Sequence, residues 1–171
     1  MKNILYLTTA LLVISCQKSD NITTTNADTT TTATVVQEPK NQLSPQVMLD
    51  LINQKRISGC NCGTEAMPPV PTLVWNDKLE LAATRHSDDM NTKKYFNHIS
   101  LDGRTPETRV TQAGYTGAFQ GENITLGATA EVYAVGAWIN SPSHCKNIMN
   151  SFAKEVGVGR VGDYWTQDFG R

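Results

Sequence analysis

Apolar positions along this chain fall into three regimes. Residues 4–14 form an almost unbroken apolar run, residues 17–42 are nearly devoid of apolar side chains, and from residue 43 onward they recur with helical or strand period. Regular structure is therefore expected within 43–171. Ser44-Pro45 sets a capping hydroxyl before a proline at the first helical position, and Val47, Met48, Leu51 and Ile52 follow at helical spacing, predicting a helix over 45–57. Pro68, Pro69 and Pro71 then forbid regular structure until Asn76. Asn76 caps a second helix over 77–93 whose apolar face is Leu79, Ala82, Ala83, His86 and Met90. Thr105-Pro106-Glu107 opens a third helix that stops at Gly114, and Val132, Val135, Trp138 and Ile139 mark a fourth over 129–141. Ser141-Pro142 restarts a short helical turn carrying His144, Cys145 and Ile148.

The period then changes. Val156 and Val158 alternate with Gly157 and Gly159, Gly162-Asp163 signals a hairpin turn, and Tyr164 to Phe169 reads as a second strand. A third strand around Gly121 to Leu126 completes a small sheet, so the class is α+β with helices packed on an antiparallel sheet. Eleven of the twelve aromatic residues lie in 43–171, enough for one core. The spacing of Trp75, Trp138 and Trp165 fits core packing better than a sugar-stacking set. Fifteen Lys plus Arg against sixteen Asp plus Glu leave a net charge of -1, which excludes the basic field a nucleic-acid binder needs.

Lys2 followed by the run Ile4 to Ile14 has the charged start and short apolar core of an export signal. It falls short of the roughly 20 apolar residues that span a bilayer. Val13-Ile14-Ser15-Cys16 resembles a bacterial lipobox, which makes 1–16 a lipoprotein signal peptide and Cys16 the lipidated first residue of the mature protein. Acyl chains there would anchor the protein to a membrane at about 0.8 kcal/mol per buried methylene. Gln17-Lys18-Ser19-Asp20 resembles short signals that send lipoproteins to the cell surface, so the expected location is the cell envelope, outer membrane or surface rather than inner membrane. Residues 17–42 hold eight Thr and no aromatic, a disordered tether reaching roughly 90 Å when fully extended.

With Cys16 lipidated, Cys60, Cys62 and Cys145 remain, an odd number in an oxidising compartment. Cys60-Asn61-Cys62 is tight and local, so the expected bridge joins Cys62 or Cys60 to Cys145, tying the loop after the first helix to the turn bearing His144. The rival reading is a Cys-x-Cys metal or redox site.

Several pieces stand in one order: Leu51-Ile52-Asn53 with Arg56, Leu73-Val74-Trp75-Asn76, Tyr95-Phe96-Asn97-His98, Gly121-Glu122-Asn123-Ile124, Trp138 through His144, Glu155 to Gly159, and Tyr164-Trp165-Thr166-Gln167. This succession resembles the bacterial branch of the CAP superfamily of cysteine-rich secretory, antigen 5 and pathogenesis-related 1 proteins, also called the SCP domain, over essentially 43–171. The resemblance implies an α-β-α sandwich with a small central antiparallel sheet, and a shallow cleft holding a tetrad of two His and two acids. His98 matches the first His and Glu122 the first acid. The second acid is missing, since Asn140-Ser141 stands there, and Tyr164 occupies the place of the second His. His144, in the Ser-Pro-x-His turn, then supplies the second imidazole. Asn123 is expected to orient Glu122, with Ser141 and His86 supporting the cleft, His86 as a core or rim residue of its helix. The glycosylation-like triplet Asn123-Ile124-Thr125 is a chance match in a bacterial lipoprotein.

Two neutral imidazoles and a carboxylate form a set that zinc or a similar divalent ion accepts, which makes His98, His144 and Glu122 candidate metal ligands and a divalent metal such as zinc the candidate cofactor. The competing expectation is a hydrogen-bond network that holds the cleft in shape. No His-Glu-x-x-His helix and no spacing of a paired nucleophile and base is present. The resemblance therefore favours an exported, lipid-anchored binding module for a lipid-like, apolar or glycan ligand, without catalysis. The alternative is a metal-assisted hydrolase acting on peptide or cell-envelope polymer.

Overall fold

The structure, a computed structural model, describes residues 37–171, so the apolar run, Cys16 and the tether up to residue 36 lie outside the described residues. The elements run α1 (Pro45–Ser58), β1 (Cys60–Cys62), β2 (Glu65–Met67), β3 (Val74–Trp75), α2 (Asp77–Lys93), α3 (Pro106–Gln112), β4 (Phe119–Leu126), α4 (Glu131–Ile139), α5 (Pro142–Ile148), β5 (Glu155–Val161) and β6 (Tyr164–Gly170). The helix starts follow their caps. Ser44 Oγ accepts from Val47 N at 3.5 Å, Asn76 Oδ1 from Lys78 N at 2.9 Å, and Thr105 Oγ1 from Thr108 N at 3.2 Å.

The main sheet has the order β3-β5-β6-β4, with β5 and β6 antiparallel, β4 antiparallel to β6, and β3 parallel to β5. The prolines did not exclude structure before Asn76 as expected. Val74 N donates to Lys154 O at 3.0 Å and Asn76 N to Val156 O at 2.9 Å, which adds a short parallel strand to the antiparallel core. β1 and β2 form a separate two-stranded hairpin.

Helices cover both faces of the sheet, and the Val-Gly alternation of β5 shows why. Val156 and Val158 are fully buried in a core with Met48, Ile52, Trp138 and Ile148 from α1, α4 and α5. Gly157 and Gly159 face the other way, against α2. A Cβ on Gly157 would stand 2.0 Å from Glu80 N, and one on Gly159 2.1 Å from Thr84 N, so only hydrogen lets α2 lie this close. Trp138 and Trp165 are fully buried as core residues, while Trp75 is half-buried at the edge of the same cluster. The result is the expected α-β-α sandwich.

Arg56 is buried, and among the described residues no acid pairs with it. Its guanidinium donates to Pro71 O at 2.7 Å, Ile148 O at 2.6 Å and Asn150 O at 3.0 Å, tying α1 to the segments after β2 and α5. Burial alone pushes its pKa down to about 10. Residues 38–42, assigned to the tether by composition, instead belong to the domain. Asn41 Nδ2 donates to Glu80 Oε1 and Val158 O, both at 2.8 Å, Gln42 N donates to Arg160 O at 3.0 Å, and Glu38 pairs with Arg85. Among the described residues no helix is long and apolar enough to cross a membrane.

Candidate functional site

β4 is an edge strand of the main sheet, and the expected cleft residues gather around it. Glu122 lies on β4, His98 on the loop between α2 and α3, and His144 on α5. Strand alternation sends Glu122 and Asn123 to opposite faces. Glu122 therefore faces the side covered by α2 and α3, while Asn123 faces α5.

On the first face His98 Nδ1 lies 2.7 Å from Glu122 Oε1, and Arg109 Nη2 donates to Glu122 Oε2 at 2.5 Å. The Glu122 side chain is 1% exposed and that of Arg109 3%, whereas the His98 side chain is 46% exposed. The carboxylate is thus a hidden acceptor whose two oxygens are both engaged, and the Nδ1–H bond directs His98 Nε2 away from it. Arg109 Nη1 also donates to His98 O at 2.9 Å, Ser100 Oγ at 3.1 Å and Arg104 O at 3.1 Å, so one guanidinium fixes both Glu122 and the loop that carries His98. His86 supports the same loop from α2, with Nε2 3.0 Å from Asn97 O. Its pKa is pushed down to about 4, chiefly by burial, so the ring is neutral and Nε2–H is the donor.

On the second face Asn123 does not orient the Glu122 side chain. Its Nδ2 donates to His144 O at 3.1 Å and to Gln167 Oε1 at 2.9 Å, and its Oδ1 accepts from Asn147 Nδ2 at 2.8 Å. Asn147 also donates to Glu122 O at 3.2 Å. These bonds clamp α5, and with it His144, onto β4. The His144 pKa is held below its ordinary value first by burial and second by the charge of His98. Ser141 stands at the start of α5 with its hydroxyl 3.5 Å from that of Ser143. The Cys62–Cys145 disulfide, with a Cα–Cα distance of 5.3 Å, fastens the residue after His144 to β1 and resolves the choice between Cys62 and Cys60. Cys60 stays a thiol 3.5 Å from Cys145 Sγ, with its pKa raised by burial.

Tyr164 is not brought to the cleft. It pairs with Leu126, whereas Glu122 pairs with Asp168, four residues or about 13 Å further along β6. Arg109 and Asp168 went unrecognised in the sequence, and Asn147, part of the family-like piece Asn147-Ile148-Met149, was assigned no role. The one available signal was Asp168 itself, an acid next to Phe169 in a strand with the aromatic residues Tyr164, Trp165 and Phe169.

The candidate metal set does not fit as three ligands. Both Glu122 oxygens are occupied by Arg109 and His98, so Glu122 is a carboxylate standing behind a histidine. Only His98 Nε2 and the ring of His144 remain as donors toward the cleft.

The family model described as the cysteine-rich secretory protein family (CAP) matches residues 49–169. The uncharacterized protein YkwD of Bacillus subtilis is 38% identical over 96 residues, covering 55% of this chain and 37% of that protein. The uncharacterized membrane protein YlbC of the same organism is 33% identical over 97 residues, covering 57% and 28%. The chain thus spans about a third of the length of these curated relatives. Among solved structures, an extracellular protein containing an SCP domain from Bacillus anthracis superposes with a TM-score of 0.64 at 30% identity, covering 74% of this chain and 39% of that one. An outer surface protein from Borrelia burgdorferi superposes with a TM-score of 0.57 at 23% identity, covering 74% and 90%, a likeness of fold alone.

Proposed function

This chain belongs to the cysteine-rich secretory protein (CAP) family, and on that footing we propose that it is an exported module, anchored by lipid at Cys16, that binds an apolar or lipid-like ligand beside His98 without transforming it. The observation that carries the reading is the exposed apolar loop that bears His98. Phe96, Ile99 and Leu101, on the loop around His98, are 46%, 45% and 65% exposed. Three large apolar side chains held in water within six residues are a surface that a ligand covers. Glu122 supports binding over hydrolysis, since a general base must reach a proton on the substrate and this carboxylate is hidden and doubly bonded. The solved Bacillus anthracis relative, described as extracellular, supports the exported location.

Equilibrium titration of the mature protein with fluorescent phospholipid, sterol and soluble cell-wall glycan tests the binding. The expected result is saturable binding of an apolar probe that Phe96→Ser with Leu101→Ser abolishes. Binding of glycan alone, unaffected by that pair, would replace the ligand class, and no binding of any probe would defeat the reading. Intact-mass analysis of the membrane fraction tests the anchor, which predicts an acylated Cys16 that is lost in Cys16→Ala.

A further inference from the structure

The floor of the cleft contains a second carboxyl group. Asp168 on β6 stands directly opposite Glu122 on β4, and cross-strand partners project their side chains to the same face. Asp168 is fully buried, and neither of its oxygens accepts a hydrogen bond from any N–H or O–H group among the described residues. By that register the carboxyl group beside it on the same face is that of Glu122.

Two ionised carboxylates cannot share such a site, because burial and mutual repulsion both penalise the second charge. The charge belongs to Glu122, which pairs with Arg109 and accepts from His98 Nδ1. The proton therefore resides on Asp168, which burial, first, and the neighbouring Glu122 charge, second, hold well above the ordinary carboxylate range.

We propose that Asp168 is a positioning residue: a neutral carboxylic acid that donates its proton to the Glu122 carboxylate and so fixes the acceptor on which His98 is oriented. Glu122 then accepts from three directions, Arg109, His98 and Asp168, and has no rotamer freedom left. With Arg109 and Glu122 compensating one another and Asp168 neutral, the floor carries no net charge, which suits an uncharged or apolar ligand above it. This deepens the binding reading, but the acid pair is tested without any ligand.

The experiment compares the wild type with Asp168→Asn and Asp168→Ala near neutral pH, by infrared spectroscopy in the protonated-carboxyl region and by 15N NMR of the His98 ring. The wild type should show a protonated-carboxyl band that Asp168→Asn removes. His98 should remain in one tautomer, protonated at Nδ1, in the wild type and in Asp168→Asn, whose amide still donates, and become a mixture in Asp168→Ala. A wild type without the band overturns the proposal, as does Asp168→Asn disturbing His98 as much as Asp168→Ala. If the alanine variant does not fold, the band and its loss in the asparagine variant decide alone. Failure to bind lipid with the band present would sink the ligand reading and leave the acid pair standing.

Discussion

Arg109 Nη2 donates to Glu122 Oε2 at 2.5 Å with both side chains almost wholly withdrawn from solvent, and the same guanidinium holds the carbonyl of His98. A short helix to which the sequence assigned no site residue thus supplies the cation on which the cleft is built.

Arg109→Leu leaves a buried carboxylate without its counter-ion and frees the His98 loop. Breaking a buried pair from one side costs about 3 to 5 kcal/mol. Urea unfolding should show a loss in that range, and Arg109→Lys should recover only part of it, since Lys cannot reach Glu122 and three loop acceptors with a planar fork. A loss below about 1 kcal/mol, the worth of an exposed pair, would contradict the geometry.

The three sulfurs lie within 4.8 Å of one another, and this makes the cysteine variants unequal. Cys145→Ser removes the shared partner and should cost about 2 to 4 kcal/mol. Cys62→Ser should cost less, because Cys60, 3.5 Å from Cys145 Sγ, can take over the bridge. Non-reducing peptide mapping should find Cys62–Cys145 in the wild type and Cys60–Cys145 in Cys62→Ser. Two free thiols in that variant would refute the substitution of partners.

Two glycines should respond in opposite directions. Gly157→Ala drives a methyl group into the backbone of α2 and should destabilise by about 3 kcal/mol, the upper end of the usual cost of overpacking a core. Gly136, inside α4, has nothing within 4 Å of where a methyl group would stand, and should gain roughly 0.5 to 1 kcal/mol on conversion to Ala. Thermal unfolding of both variants checks the pair.

The pH dependence has a sign set by His86. Its folded pKa of about 4 lies below the ordinary 6.5, so its contribution is fully present above about pH 6.5 and is lost as pH falls toward 4. The loss amounts to about 3 kcal/mol at most. Asp168 acts oppositely, its contribution greatest in acid and lost as pH rises, so the wild-type curve mixes the two. Stability of His86→Gln measured over the same range should lack the His86 component. Parallel wild-type and variant curves between pH 4 and 6.5 would show that His86 is not buried as described.

The helices were legible because their signals are local: Ser44-Pro45, Asn76, Thr105-Pro106 and Ser141-Pro142 each mark a start within a residue. β1, β2 and β3 were not, because strands of two or three residues have no period to read and exist through partners distant in the chain. His98, Glu122 and His144 were legible as a motif, and the structure pairs His98 with Glu122 while Asn123 bonds the backbone carbonyl of His144. Arg109 and Asp168 acquire their roles only from packing, Arg109 by reaching back from α3 and Asp168 by register with Glu122. Asn123 shows the limit of neighbouring residues as evidence, since strand alternation places adjacent side chains on opposite faces.

Whether the cleft holds its ligand or transforms it is decided by incubating the purified mature protein with a radiolabelled lipid extract and identifying both what it retains and what it releases. The expected result is saturable recovery of chemically intact apolar ligand by the wild type, lost in the Phe96→Ser, Leu101→Ser variant, with no product formed. Product that accumulates with the wild type and disappears in His98→Ala would contradict binding without catalysis.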